Sequence, residues 1–132
     1  MRHDVLILES TDYSPEAVQT YREMGRVFFA GQPGIATKTV NILVCRLGRY
    51  LNEEFLSQFP VLKYIVTPTT GLNHIDLTYC SANGIDVVSL KGETDFLKTI
   101  RSTSEHTFSL ILALVRNLIP SISSVTHTLL WD

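Results

Sequence analysis

The sequence predicts an α/β fold, a flavodoxin-like doubly wound parallel sheet of about five strands, followed by a long apolar C-terminal helix. Three observations predict it. Short apolar runs recur without polar alternation, as strands covered on both faces require. Capped helical patterns separate most of these runs. From Thr107 onward, the only Asp, Glu, Lys or Arg residues are Arg116 and Asp132.

The first strand is Val5–Leu8. A helix follows with Ser14 as N-cap and Pro15 in the first helical position, where its missing N–H costs nothing. Ala17, Val18, Tyr21 and Met24 share one of its faces, and Gly25 is its expected terminator. Val27–Phe29 is the second strand and Ile42–Cys45 the third. Between Ala30 and Asn41 the residues Gly31, Pro33 and Gly34 leave no period, so that connection has no assigned structure. A helix from Asn52 buries Phe55, Leu56 and Phe59 and stops at Pro60. The fourth strand, Tyr64–Val66, leads to a helix capped by Asp76 and ended by Gly84 in a left-handed conformation. Ile85–Leu90 is the fifth strand. The last helix opens on a capping box, Ser102 with Glu105, and runs to about Leu118.

A chain of 132 residues with 45% hydrophobic residues and a net charge of −2 excludes a disordered polymer. That length buries about two-thirds of the unfolded surface, so no disulfide framework or structural metal is needed. Neither a basic stripe for nucleic acid nor a polybasic membrane patch is present. Cys45 and Cys80 have no metal-ligand spacing and fit a reducing, cytoplasmic setting. The four histidines are too scattered to suggest a metal site, and no metal is expected. Phe108–Val115 is apolar around its whole circumference, yet Arg116, Asn117 and Pro120 interrupt it before the roughly 18–20 residues of a membrane span. An uncovered helix of this kind predicts a missing partner surface and a homodimer or larger assembly.

Ligands of doubly wound domains bind outside the carboxyl ends of the strands. Two loops there stand out: Arg46-Leu47-Gly48-Arg49, and Thr67 through Asp76, which contains Gly71 and ends at a helix N-terminus. Free N–H groups on the second loop and the fixed charge of Arg46 make a candidate small-anion site. The plainer reading is a turn glycine, two caps and a solvated arginine, with His74 a partly exposed loop residue and Cys45 core. Missing motifs say as much. The glycines at 25, 31, 34, 48, 71, 84 and 92 form no G-x-G-x-x-G after a strand and no phosphate loop, and there is no G-x-S-x-G.

The stretch Leu62–Leu77, continuing through Asn83-Gly84-Ile85-Asp86-Val87, closely resembles the substrate domain of D-isomer-specific 2-hydroxyacid dehydrogenases, the family of phosphoglycerate, glycerate and formate dehydrogenases. Ser102–Thr107 followed by Leu110–Asn117 looks like that family's interdomain helix, and Arg46 matches its strand-end arginine. The resemblance implies a substrate domain at 1–101 and an interdomain helix and tail at 102–132. It implies a substrate cradle from the backbone N–H groups of Thr70 and Gly71, with Arg46, Leu47 and Gly48 nearby and Thr103 near the nicotinamide. Many members carry Ser where this chain has Leu47, which removes that hydroxyl. Glu93–Leu97 resembles the lengthened loop of a subgroup.

The resemblance further implies an NAD-binding Rossmann domain after the interdomain helix and a later return of the chain. The catalytic arginine, glutamate and histidine belong to that later sequence. The expectation is therefore an N-terminal portion of an NAD-dependent enzyme acting on a small 2-hydroxy or 2-oxo acid, with no cofactor bound to this chain and no activity alone. The alternative is a non-enzymatic small-anion-binding or receiver-like module. A phospho-receiver needs an aspartate where Cys45-Arg46 stands, which weighs against it.

Overall fold

The computed structural model describes residues 2–9, 11 and 13–127. They form two compact units, Met1–Gly92 and Glu93–Asp132. The first holds β1 (His3–Ile7), α1 (Pro15–Met24), β2 (Gly25–Phe29), β3 (Ile42–Val44), α2 (Glu53–Leu56), β4 (Tyr64–Thr67), α3 (Leu77–Ala82) and β5 (Asp86–Ser89). All pairings are parallel, in the order β2-β1-β3-β4-β5, the flavodoxin-like arrangement expected.

The unalternating runs are explained by two cores, one on each sheet face. Leu6, Leu43, Cys45 and Ile65 point into the larger, with Leu51, Leu56, Phe59 and Cys80 from the connections. Val5, Ile7, Ile42 and Val44 point into the smaller, against which Tyr13 and Tyr21 pack. Burying each such aliphatic side chain contributes about 1.5–3 kcal/mol. The smaller core is only partly covered. Tyr64 and Val88 on that face are 37% and 52% exposed and line an apolar hollow of about 450 Å³ with Met24 and Val66.

Local capping follows the residues closely. Ser14 accepts from the N–H of Ala17, Asn52 from Phe55 and Asp76 from Tyr79. Gly84 adopts φ +66° after α3, as a left-handed terminator should. Gly25 does not: its φ is 166° and it is already the first residue of β2, so α1 passes into the strand without a loop. The helix from Asn52 is a single turn, with Phe59 buried through the following turns and its ring 5.3 Å from that of Phe55. The β2–β3 connection is built of turns, with Gly31 at φ +89° and Gly34 at φ +85°, and anchored by fully buried Val40.

Asp4 and Arg26 face each other across β1 and β2, with Arg26 Nε and Nη2 at 2.8 and 2.6 Å from the two carboxylate oxygens. Those hydrogen bonds, against the opposing effect of burial, hold the Asp4 carboxyl below its ordinary value. A carboxyl depressed on folding stabilises above its unfolded pKa, about 3.9, and that contribution is lost as pH falls through the folded value. The urea midpoint of wild type should therefore exceed that of Asp4→Asn at pH 6, and the gap should close on acidification below about pH 4. A gap independent of pH would disprove the coupling.

The second unit contains α4 (Thr94–Leu97), α5 (Ser102–Val115) and α6 (Leu118–His127). The expected lengthened loop Glu93–Leu97 thus carries a helical turn. Two expectations need correction. Ser102 is the first helical residue, Arg101 occupies the N-cap position and no side chain caps the helix, so the capping box does not form. The long C-terminal helix is also not continuous. Asn117 takes φ +48°, a conformation its short polar side chain tolerates, and the stretches Thr94–Val115 and Leu118–Thr126 diverge by 64°. No single helix among the described residues is long and apolar enough to cross a membrane. Within its own unit α5 buries no side chain, and Phe108 and Leu114 are 67% and 77% exposed.

Candidate functional site

The carboxyl ends of β3 and β4 are neighbours, tied by the N–H of Cys45 to the carbonyl of Val66 at 3.0 Å. Arg46-Leu47-Gly48 therefore turns away beside the loop Thr67–Asp76. Of the residues singled out in the sequence, Arg46, Leu47 and Gly48 follow β3 and Thr70 and Gly71 lie in the loop after β4, its neighbour in the sheet. Thr103 lies in α5 of the second unit, where its carbonyl accepts from Thr107 Oγ1 at 2.8 Å.

The 46–48 turn is organised by a residue that sequence reasoning missed. Glu9, just after β1, accepts from the N–H of Arg46 at Oε2 and from that of Gly48 at Oε1, both at 3.0 Å. A Cβ on Gly48 would stand 3.0 Å from Oε1 and 3.1 Å from Cγ of Glu9, so the absence of a side chain there lets the carboxylate in. Arg46 is drawn to the same strand end. Its Nη2 donates to the Thr11 carbonyl at 2.9 Å and its guanidinium lies 5.2 Å over the Tyr13 ring. Burial, with the Glu9 charge next, pushes the Tyr13 hydroxyl up to about 12, so it stays protonated. The same two causes push the Cys45 thiol up to about 11, which fits its expected place in the core.

The loop after β4 is shaped by hydroxyls. Thr69 Oγ1 donates to the Gly71 carbonyl at 2.8 Å, and its oxygen lies 3.0 Å from Thr67 Oγ1, which must then donate to it. Among the described residues, nothing accepts from the N–H of Thr70 or Gly71, and both residues are exposed. The far end of the loop is pinned by Leu51, whose N–H donates to the His74 carbonyl at 2.8 Å and whose carbonyl accepts from Asp76 N at 3.0 Å. His74 is not a partly exposed loop residue: it is 8% exposed, and neither ring nitrogen has a partner among the described residues. No group of three or more metal-ligating side chains occurs among the described residues.

A parallel sheet of this order, with two backbone donors that find no acceptor among the described residues and an arginine-bearing turn after the neighbouring strand, defines a doubly wound α/β domain with a candidate small-anion site. The family described as D-isomer specific 2-hydroxyacid dehydrogenase, catalytic domain, matches residues 5–109, and the chain belongs to it. It is 28% identical over 130 residues to a glyoxylate reductase of Thermofilum pendens, covering 98% of this chain and 32% of the relative. A formate dehydrogenase of Pichia angusta is 32% identical over 72 residues, 54% of this chain and 19% of that protein. Among solved structures, D-lactate dehydrogenase from Aquifex aeolicus, complexed with NAD and lactic acid, superposes with a TM-score of 0.74 at 29% identity, covering 97% of this chain and 38% of that one. The chain thus spans about a third of the length of the glyoxylate reductase it matches.

Proposed function

We propose that this chain is the substrate-domain portion of an NAD-dependent D-2-hydroxyacid dehydrogenase, and that its part in the reaction is to hold the carboxylate of a small 2-hydroxy or 2-oxo acid. The observation that carries this reading is the pair of exposed N–H groups on Thr70 and Gly71, without an acceptor among the described residues, in the loop after β4, the strand that neighbours the one leading into the Arg46–Gly48 turn. Two backbone donors fix a carboxylate without a charged side chain having to reorganise, and Arg46 adds positive potential nearby. Leu47, 67% exposed, offers the substrate an apolar contact in place of a hydroxyl.

The dinucleotide itself does not fit this chain. No glycine precedes Gly25, and the end of β1, where a pyrophosphate turn would begin, holds the Glu9 carboxylate instead. Hydride exchange with NAD(H) therefore belongs to a Rossmann domain beyond these residues, with Thr103 on the cofactor side of the hinge. The apolar circumference of α5 and the half-covered sheet face support association with further protein, either that domain and the returning chain or a second copy. The reduced cysteines suit a cytoplasmic enzyme.

Two measurements test the reading. Mixed with NADH and glyoxylate, pyruvate or hydroxypyruvate, the 132-residue chain should give no loss of nicotinamide absorbance above a buffer control; turnover would overturn the assignment of the cofactor site elsewhere. Titrated with glyoxylate, its Thr70 and Gly71 amide resonances should move first and furthest. Unmoved resonances would remove the cradle.

A further inference from the structure

The first unit contains a cavity of about 330 Å³ between the ends of β1 and β2, the β2–β3 connection and α2. Neither Thr70 nor Gly71 lines it. Leu8, Ile35, Phe55 and Phe59 supply an apolar lining, and two residues of opposite charge, Glu9 and Arg49, line it as well. Sites for small organic ligands share this build: about 300–1,000 Å³, mostly apolar, with a few placed polar groups.

Arg49 is held ready for a ligand. Its guanidinium carbon lies 4.8 Å from the centroid of the Phe55 ring, a contact that uses the face of the group and not its N–H donors. Among the described residues none accepts a hydrogen bond from it. Glu9 is held too, by the N–H groups of Arg46 and Gly48, one on each oxygen. Each carboxylate oxygen keeps a second lone pair, so the group can still accept from an ammonium.

The pair of charges selects the ligand. A simple acid in the cavity would meet the like charge of Glu9, and a simple amine that of Arg49. A molecule carrying both charges on one carbon, with an apolar substituent, satisfies the two walls and the lining together. We propose that this cavity binds a free α-amino acid with an apolar side chain, its carboxylate on Arg49, its ammonium on Glu9 and its side chain against Ile35, Phe55 and Phe59. This site is distinct from the cradle at Thr70 and Gly71, neither of which lines it.

The test is an NMR titration of the full chain with L-leucine, with 4-methylpentanoate, which lacks the ammonium, and with 3-methylbutylamine, which lacks the carboxylate. Leucine should shift the Gly48 and Phe55 amides saturably, and each single-charge analogue should bind at least about tenfold more weakly. Arg49→Gln, a change at an exposed position, should weaken leucine binding by at least about tenfold while leaving the urea midpoint where it is. The proposal is overturned if leucine gives no saturable shift at millimolar concentration, if either analogue binds as well as leucine, or if Arg49→Gln binds it like wild type.

Discussion

Gly25→Ala is expected to cost about 3 kcal/mol or more, seen as a lower urea midpoint at unchanged slope. Gly25 is paired with His3 in the β1–β2 register, and its N–H still closes the last turn of α1 on the Tyr21 carbonyl. A Cβ on it would run into the His3 carbonyl oxygen and stand 2.6 Å from the His3 nitrogen. Those are backbone atoms of the central sheet, which cannot swing aside as a side chain can. Conformation is not the reason, because the extended φ of 166° is open to any residue. Gly84→Ala is the matching control: its φ is +66° with open space around the Cβ position, so only the left-handed strain, about 1–2 kcal/mol, applies. Equal losses in the two variants would show that the α1–β2 junction relaxes, and would sink the steric account.

Glu9→Ala should destabilise by about 2 kcal/mol, since it removes a carboxylate that accepts two backbone hydrogen bonds and strands their donors at a half-covered strand end. Glu9→Gln keeps one acceptor oxygen and should lose about half as much. The more specific readout is hydrogen exchange. The amides of Arg46 and Gly48 should lose protection in Glu9→Ala while those of β3 keep it. Protection retained at both amides would mean that the turn holds its shape without the clamp. Because the same turn supplies Arg46 to the proposed carboxylate site, Glu9→Ala is also expected to weaken glyoxylate binding without touching the acid directly.

What was legible in the residues was short in range. Ser14, Asn52 and Asp76 each cap a helix by bonding three residues ahead, and no distant group is needed to decide it. The Asn117 break was visible in part. Asn117 and Pro120 count against a membrane span in the sequence, and the left-handed Asn117 in fact ends α5 and starts α6 on a new axis. Ser102 and Glu105 misled because the capping pattern says nothing about which residue takes the N-cap position; Arg101 took it. The candidate anion site was legible as two loops, since strand-end position and residue type locate them. What organises those loops was not: Glu9 lies 37 and 39 residues from the amides it holds.

By itself, then, the sequence determined the parallel α/β class, the strand count, most helix starts and the family, all properties written in local pattern or in stretches of contiguous motif. Only the tertiary structure decided that Gly25 serves a strand contact as well as a helix end, that His74 is buried, that Arg46 turns to Thr11 and Tyr13, and that Glu9 and Arg49 line one cavity. The reason is physical. Each of these depends on which groups the parallel sheet sets side by side, and that adjacency follows from strand order and register, which no local spacing records.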